Sequence, residues 1–288
     1  MAEPYDLVTV GRSNMDLFSQ DIGAAFEDVT GFDTAVGGSP TNIAIGTARL
    51  GLRSIAFTAV GDDRVGDFVV RYLRDAGVET RYIPHKEGKL TSLALIGVRP
   101  PSDFPLSFYR DDPADIHLTP EEFDAIPLDQ VRAALISGNA LSRGSCADAT
   151  LHAAERVSAA GLTSFVDLDL RPTEWGSPDA YGTAMSRLLP LIDVAIGTEE
   201  EFYAALMPDA RPVLSLDAVP QDAHDELDAR VAGLLEQDVD AIALKRGPRG
   251  VTILTARDRL DVPGVSVEVQ NTVGAGDAFA SGLIRSRL

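Results

Sequence analysis

The stretch Asn271-Thr272-Val273-Gly274-Ala275-Gly276-Asp277-Ala278-Phe279 brings two glycines and a carboxylate to the point where an irregular segment turns into a helix. Gly274, Ala275 and Gly276 carry little or no side chain, so several backbone N–H groups can converge on one small anion at the first helical turn. Asp277 then stands beside that anion, where its carboxylate can accept a proton from an attacking hydroxyl. Phosphoryl transfer needs both parts. The same residues also read as a plain helix start with an aspartate favoured by the macrodipole, so the rest of the chain must decide.

A second glycine pair opens Gly37-Gly38-Ser39-Pro40-Thr41-Asn42. Ser39 is placed to cap a helix and Pro40 to sit in its first turn; the helix runs to Leu50, with Gly51 closing it. Gly37 and Gly38 let a ligand approach the backbone, and Asn42 presents the donor and acceptor that a polyol requires. A tight turn entering a capped helix accounts for the glycines equally well. Earlier, Leu7-Val8-Thr9-Val10 closed by Gly11 reads as a buried parallel strand. Asn14 and Asp16 then fall just past its C-terminal end, the edge at which open α/β sheets bind ligands. Asp16 suits sugar hydroxyls, or is a solvated turn residue.

Residues 17–36 lack a helical period and look like an excursion from the core. A strand over 54–60 and a helix over 65–76, apolar at Val65, Phe68, Val69, Tyr72 and Leu73, continue a βαβ rhythm. Residues 90–98 and 106–110 read as antiparallel strands that join 17–36 in a small sheet over the site, a lid that would keep water from a phosphoryl donor. Arg110 ends the second of these strands and can fork onto a carboxylate or phosphate, or pair with Asp111 or Asp112. From 133 on, strands (133–137, 163–167, 193–196, 241–244) alternate with helices (145–160, 178–189, 199–206, 223–237), a loop filling 207–222. That alternation predicts a mostly parallel sheet. Asp167, Asp169 and Arg171 leave one strand at its C-terminal end, Glu199-Glu200-Glu201 opens a helix, and Lys245-Arg246-Gly247-Pro248-Arg249-Gly250 is a basic turn, either a phosphate contact or a hairpin.

Composition narrows the classes. A chain of 288 residues suffices for one large α/β domain. Twenty-five basic against 44 acidic residues, a net charge of −19, disfavour nucleic acid and anionic membranes as partners and leave small molecules. The single cysteine, Cys146, excludes an internal disulfide and fits a reducing cytoplasm. No apolar run approaches a membrane span, and the first residues form no signal core. The P-loop pattern G-x-x-x-x-G-K-[ST] is absent, and no G-x-G-x-x-G follows the first strand.

The ordered set resembles the ribokinase-like (PfkB) carbohydrate kinases. Gly37 through Asn42 to Gly51 is similar to that family's N-terminal signature and Thr272 through Phe279 to its C-terminal one. The resemblance implies an α/β three-layer sandwich, a mostly parallel central sheet flanked by helices, with a small β-sheet lid formed by about 13–36 and 90–112, all in one domain over 1–288. It further implies Asp277 as catalytic base, Gly274, Ala275 and Gly276 as anion hole, and Asp16, Gly37, Gly38 and Asn42 as sugar ligands. ATP and Mg2+ would be served by Thr198, Glu201, Lys245, Gly247, Gly250 and Asn271, with Glu201 acting near the metal; Thr198 stands where the family usually has Asn. Ser39-Pro40, Phe108-Tyr109-Arg110, Ile196-Gly197-Thr198 and Asn271 resemble a branch whose acceptor is 5-dehydro-2-deoxygluconate, in inositol catabolism. Asp167, Asp169 and Arg171 resemble the acid-sugar kinases, in which Arg110 or Arg171 would meet the substrate carboxylate. 2-Keto-3-deoxygluconate kinase and fructokinase remain open, as does a non-catalytic sugar-binding protein, because family members usually continue past Leu288 into helices that help enclose adenine. Family lids often pair in homodimers.

Overall fold

The computed structural model describes residues 4–99, 103–207, 219–237, 239–267 and 272–288. The chain divides into two compact units, Met1–Arg132 with Val267–Leu288, and Ala133–Ser266.

In the first unit the apolar run after Asp6 forms β1 (Tyr5–Val10), whose last four residues are buried. It pairs in parallel with β4, and between them in sequence lie β2 (Asn14–Ser19), β3 (Phe32–Gly37) and α1 (Ser39–Arg49) before β4 (Ser54–Phe57) itself. The chain continues through β5 (Val60–Gly61), α2 (Arg64–Asp75), β6 (His85–Lys86), β7 (Ser92–Ile96), β8 (Leu106–Tyr109) and the short α3 (Pro120–Phe123). Helix α2 is capped by Asp63, which accepts the Gly66 N–H at 2.7 Å. It buries Val69 and Leu73 against Ala44, Ile45, Val60 and Val78.

A four-stranded sheet in the order β3-β2-β7-β8 is the expected small sheet. Its outer pairings are antiparallel, but β2 and β7 run parallel, Asn14 opposite Ser92 and Phe18 opposite Ile96. Asn14 and Asp16 therefore lie inside β2 rather than in a turn after β1. Strand alternation buries both on one face, while Met15 packs on the core. Ser39 is not the cap of α1. Gly38 holds the N-cap position at φ 102° with no side-chain cap, and Thr41 Oγ1 donates instead to the carbonyls of Gly37 and Gly38, each at 2.8 Å.

The second unit follows the expected alternation: β9 (Val131–Ser137, begun in the first unit), α4 (Ser145–Ala159), β10 (Thr163–Asp167), α5 (Pro178–Leu188), β11 (Val194–Thr198), α6 (Glu199–Leu206), α7 (His224–Leu234), β12 (Ala241–Lys245), β13 (Val251–Thr255) and β14 (Arg259–Val262). Strands β9 to β12 are parallel neighbours, and β13 and β14 extend the sheet antiparallel. Register sets Ser137 opposite Asp167 and Thr198 opposite Lys245, so the polar strand ends gather at one edge. Helix α8 (Ala275–Arg287) belongs to the first unit. No helix among the described residues is long and apolar enough to cross a membrane.

Candidate active site

The first unit assembles a carboxylate-lined cavity from three element starts. Asp277 stands in the first turn of α8, behind Gly274 in the left-handed region at φ 81°. Its Oδ2 accepts the Asn42 side-chain N–H at 2.7 Å, and Asn42 stands in the first turn of α1. Asp16 on β2 accepts from the Asn14 amide. Asp16, Asn42, Gly274 and Asp277 line a single cavity of about 300 Å³, together with Phe18 and Tyr72. The glycine pair has two separate causes. A methyl group on Gly37 would collide with the Asp16 carboxylate and the Asn14 amide, whereas Gly38 lies at positive φ, with Arg12 O 2.5 Å from where its Cβ would be. At the start of α8 the first i→i−4 bond is Ala278 N–H to Gly274 O, while Ala275 N–H turns back onto Thr272 O at 3.2 Å. Gly276 and Asp277 follow Ala275 in this first turn of α8. Asn271 lies outside the described residues.

Arg110 is more deeply engaged than a surface pair with Asp111 or Asp112. Its guanidinium reaches Asp115 Oδ2 at 2.8 Å and Ser92 Oγ at 3.1 Å, and both side chains are almost wholly buried. Asp115 also accepts the Ser13 N–H at 3.1 Å, so this ion pair ties the exit of β8 to the entry of β2. Asp115 was not singled out by sequence. It follows Arg110 by five residues in a segment without period, and only burial marks it.

The second unit gathers Asp167, Asp169, Arg171, Glu201 and Lys245. Lys245 Nζ stands 3.5 Å from Asp167 Oδ1 and 3.7 Å from Glu201 Oε2. Arg171 pairs with Asp169 at 2.6 Å while remaining half exposed. Asp169 is the single non-glycine residue at positive φ among those described (φ 39°), and its Oδ2 accepts from Ser137 Oγ at 3.1 Å. Burial pushes the Glu201 carboxyl up, with Asp167 and Asp169 adding to the rise and Lys245 opposing it. Lys245 is raised in spite of its own burial, because Asp167 and Glu201 favour its charge. The Asp169 charge holds Arg171 firmly protonated.

Thr198 and Glu201 form a reciprocal capping box on α6: Thr198 Oγ1 accepts the Glu201 N–H at 3.2 Å and Glu201 Oε2 accepts the Thr198 N–H at 2.7 Å. The other Glu201 oxygen accepts from Leu170 N–H at 3.3 Å. The basic turn is a β12–β13 hairpin. Gly247 and Gly250 both have positive φ, and Gly250 is further required because Val262 O and Gly264 N occupy the space its Cβ would take. Arg246 and Arg249 are held by the buried Glu199, whose role the sequence did not separate from its two neighbours. Among the described residues no three metal-ligating side chains converge.

The first unit thus holds a carboxylate at a glycine-led helix start beside a cavity under its small sheet, and the second holds an acidic and basic strand edge. Residues 5–288 match the pfkB family of carbohydrate kinases, and the chain belongs to that family. The 5-dehydro-2-deoxygluconokinase of Geobacillus thermodenitrificans is 33% identical over 284 residues, spanning 98% of this chain and 81% of that protein. The enzyme of that name from Listeria monocytogenes is 31% identical over 282 residues, 97% of this chain and 82% of its own. Among solved structures, a putative ribokinase II from E. coli in complex with ATP and Mg2+ superposes with a TM-score of 0.83 at 23% identity, covering 98% of this chain and 86% of that one. Aminoimidazole riboside kinase from Salmonella enterica gives 0.76 at 22% identity, over 98% and 86%. The fold is ribokinase-like, as expected, with a mostly parallel sheet flanked by helices and a small additional sheet.

Proposed function

We propose that this carbohydrate kinase transfers the γ-phosphoryl group of ATP to the primary hydroxyl of 5-dehydro-2-deoxygluconate, the acceptor in the names of its relatives. The observation that carries the reading is the convergence of Asp16, Asn42 and Asp277 on one cavity at the start of α8. Asp277 accepts the hydroxyl proton, and Asp16 and Asn42 hold substrate hydroxyls. The N–H groups at the Gly274–Gly276 start of α8 meet charge on the transferring phosphoryl group. Arg171, half exposed and held cationic, is the partner for the substrate carboxylate, whereas Arg110 serves through its buried pair with Asp115.

Lys245 and the hairpin at Gly247 and Gly250 face the nucleotide phosphates. Mg2+ in such sites keeps several waters and arrives with phosphate. Glu201 would hold it through water, and the ion would neutralise phosphate charge. The small sheet acts as the lid, and its exposed Leu106, Phe108 and Tyr109 are the face of a homodimer. The compartment proposed is the cytoplasm.

The test is ADP release with ATP and Mg2+ over 5-dehydro-2-deoxygluconate, 2-keto-3-deoxygluconate, fructose, ribose and adenosine. Turnover of the first, lowered about 10²–10⁴-fold in Asp277→Asn, is the expected result. A folded protein inert on all five refutes the reading.

A further inference from the structure

The Asn42 amide lies 2.7 Å from Asp277 Oδ2, a contact that a role in holding sugar does not require. An ionised carboxylate only accepts, so the amide must present its nitrogen to Asp277. Both side chains rise from first helical turns, and those turns are locked to each other. A Cβ on Gly46 of α1 would stand 2.9 Å from Ser281 Cβ of α8, so the two helices touch backbone to side chain. Ser281 Oγ donates to Asp277 O at 2.7 Å and lies 3.5 Å from Ile43 O. The first turn of α1 is fixed in turn by Asn42 N–H to Gly38 O at 2.9 Å and by the Thr41 hydroxyl on Gly37 O and Gly38 O. The amide is therefore a rigidly mounted donor aimed at the proposed base.

A carboxylate turns about two side-chain bonds, and proton transfer requires one of its oxygens to face the incoming hydroxyl; misplacement by 1 Å can cost about 10²-fold. We infer that Asn42 is a positioning residue for Asp277, selecting the carboxylate orientation in which the substrate hydroxyl is deprotonated. This deepens the kinase reading and rests on it. The other charged or titratable groups lining the same cavity are Asp16, Arg49 and Tyr72, and Asp16 is engaged by Asn14 on its own strand.

The experiment has an activity arm and a spectroscopic arm. In the first, Asn42→Ala, Asp277→Asn and the double variant are compared with the unmodified enzyme on its best acceptor. Positioning predicts that Asn42→Ala lowers kcat about 10- to 100-fold, over and above any rise in KM from the lost substrate hydroxyl contact, and that the double variant is no slower in kcat than Asp277→Asn alone. A raised KM at unchanged kcat, or fully additive losses, overturns the inference in favour of a substrate contact only. In the second arm, the side-chain amide pair of Asn42, assigned in 1H–15N spectra by its loss in Asn42→Ala, is expected to shift in Asp277→Ala. An unmoved amide pair overturns the inference without reference to catalysis. If the unmodified protein phosphorylates nothing in the panel, the kinase reading fails while the spectrum still decides whether Asn42 holds the carboxylate.

Discussion

A single methyl group separates the roles of the two glycines at the start of α1. At Gly37 it would strike Asp16 and Asn14, the side chains of the cavity, whereas at Gly38 it would strike backbone in a left-handed conformation. Gly37→Ala is accordingly expected to lower kcat/KM by about 10- to 100-fold with little change in unfolding midpoint, since displaced polar groups damage orientation before stability. Gly38→Ala should cost at least about 1–2 kcal/mol in denaturant unfolding. Gly51 provides the control, with φ 88° and open space around its Cβ position; there alanine costs only the backbone term of about 1 kcal/mol. Equal losses at Gly38 and Gly51 would show that the Arg12 carbonyl yields to the new side chain. These glycines stood out in the sequence, but their causes did not. A glycine pair before a helix looks the same whether it spares a ligand, a neighbouring side chain or its own backbone.

The elements themselves were legible wherever hydrophobic period and punctuation agreed. Strands 133–137 and 163–167 and the helix opening at Glu199 emerge with nearly the expected bounds, because parallel strands covered on both faces leave short apolar runs and helices declare their caps. What escaped was non-local. Nothing near Asn14 announces that β2 pairs in parallel with a strand some eighty residues later, so the segment read as a turn. The buried partners Asp115 and Glu199 are likewise defined by distant chain. Thr198 is the case in which local chemistry explains a departure from the family pattern. Threonine and asparagine both accept from the N–H of a first helical turn, so the substitution keeps the capping box with Glu201. Thr198→Ala should therefore destabilise by about 1 kcal/mol in urea unfolding, and Thr198→Asn by no more than a few tenths. A Thr198→Asn cost equal to that of alanine would assign the hydroxyl a partner other than the cap.

Over the whole molecule, the net charge of −19 sets two opposing responses to pH. Self-repulsion among carboxylates weakens the folded state at neutral pH and eases as they protonate. Against this stand carboxylates that folding makes more acidic. Burial opposes ionisation of Glu79, but the Arg81 N–H at 2.9 Å and the Tyr5 hydroxyl at 3.0 Å outweigh it, and its pKa is lowered. Asp6 is lowered in the same way: burial acts upward, while the Arg53 N–H at 2.9 Å and Arg132 at 2.8 Å prevail. A lowered folded pKa contributes stability that is present above the unfolded value and lost as pH falls through the folded one. Between neutrality and the onset of that loss, relief of repulsion should hold stability level or raise it; below about pH 4 it should fall. Salt separates the two effects, because the Debye length shrinks to about 3 Å at 1 M, which screens distant charges but not hydrogen-bonded pairs. The urea midpoint at pH 7 is therefore expected to rise between low salt and molar NaCl. Glu79→Gln, which keeps the shape and removes the charge, should cost about 1 kcal/mol at pH 7 in either salt and nothing at pH 2, where glutamate and glutamine are alike uncharged. A midpoint that falls with salt at pH 7 would mean that attractive pairs such as Arg132 with Asp6 outweigh the surplus of negative charge. A Glu79→Gln cost that survives at pH 2 would mean that shape, not ionisation, is what the Tyr5 and Arg81 contacts reward.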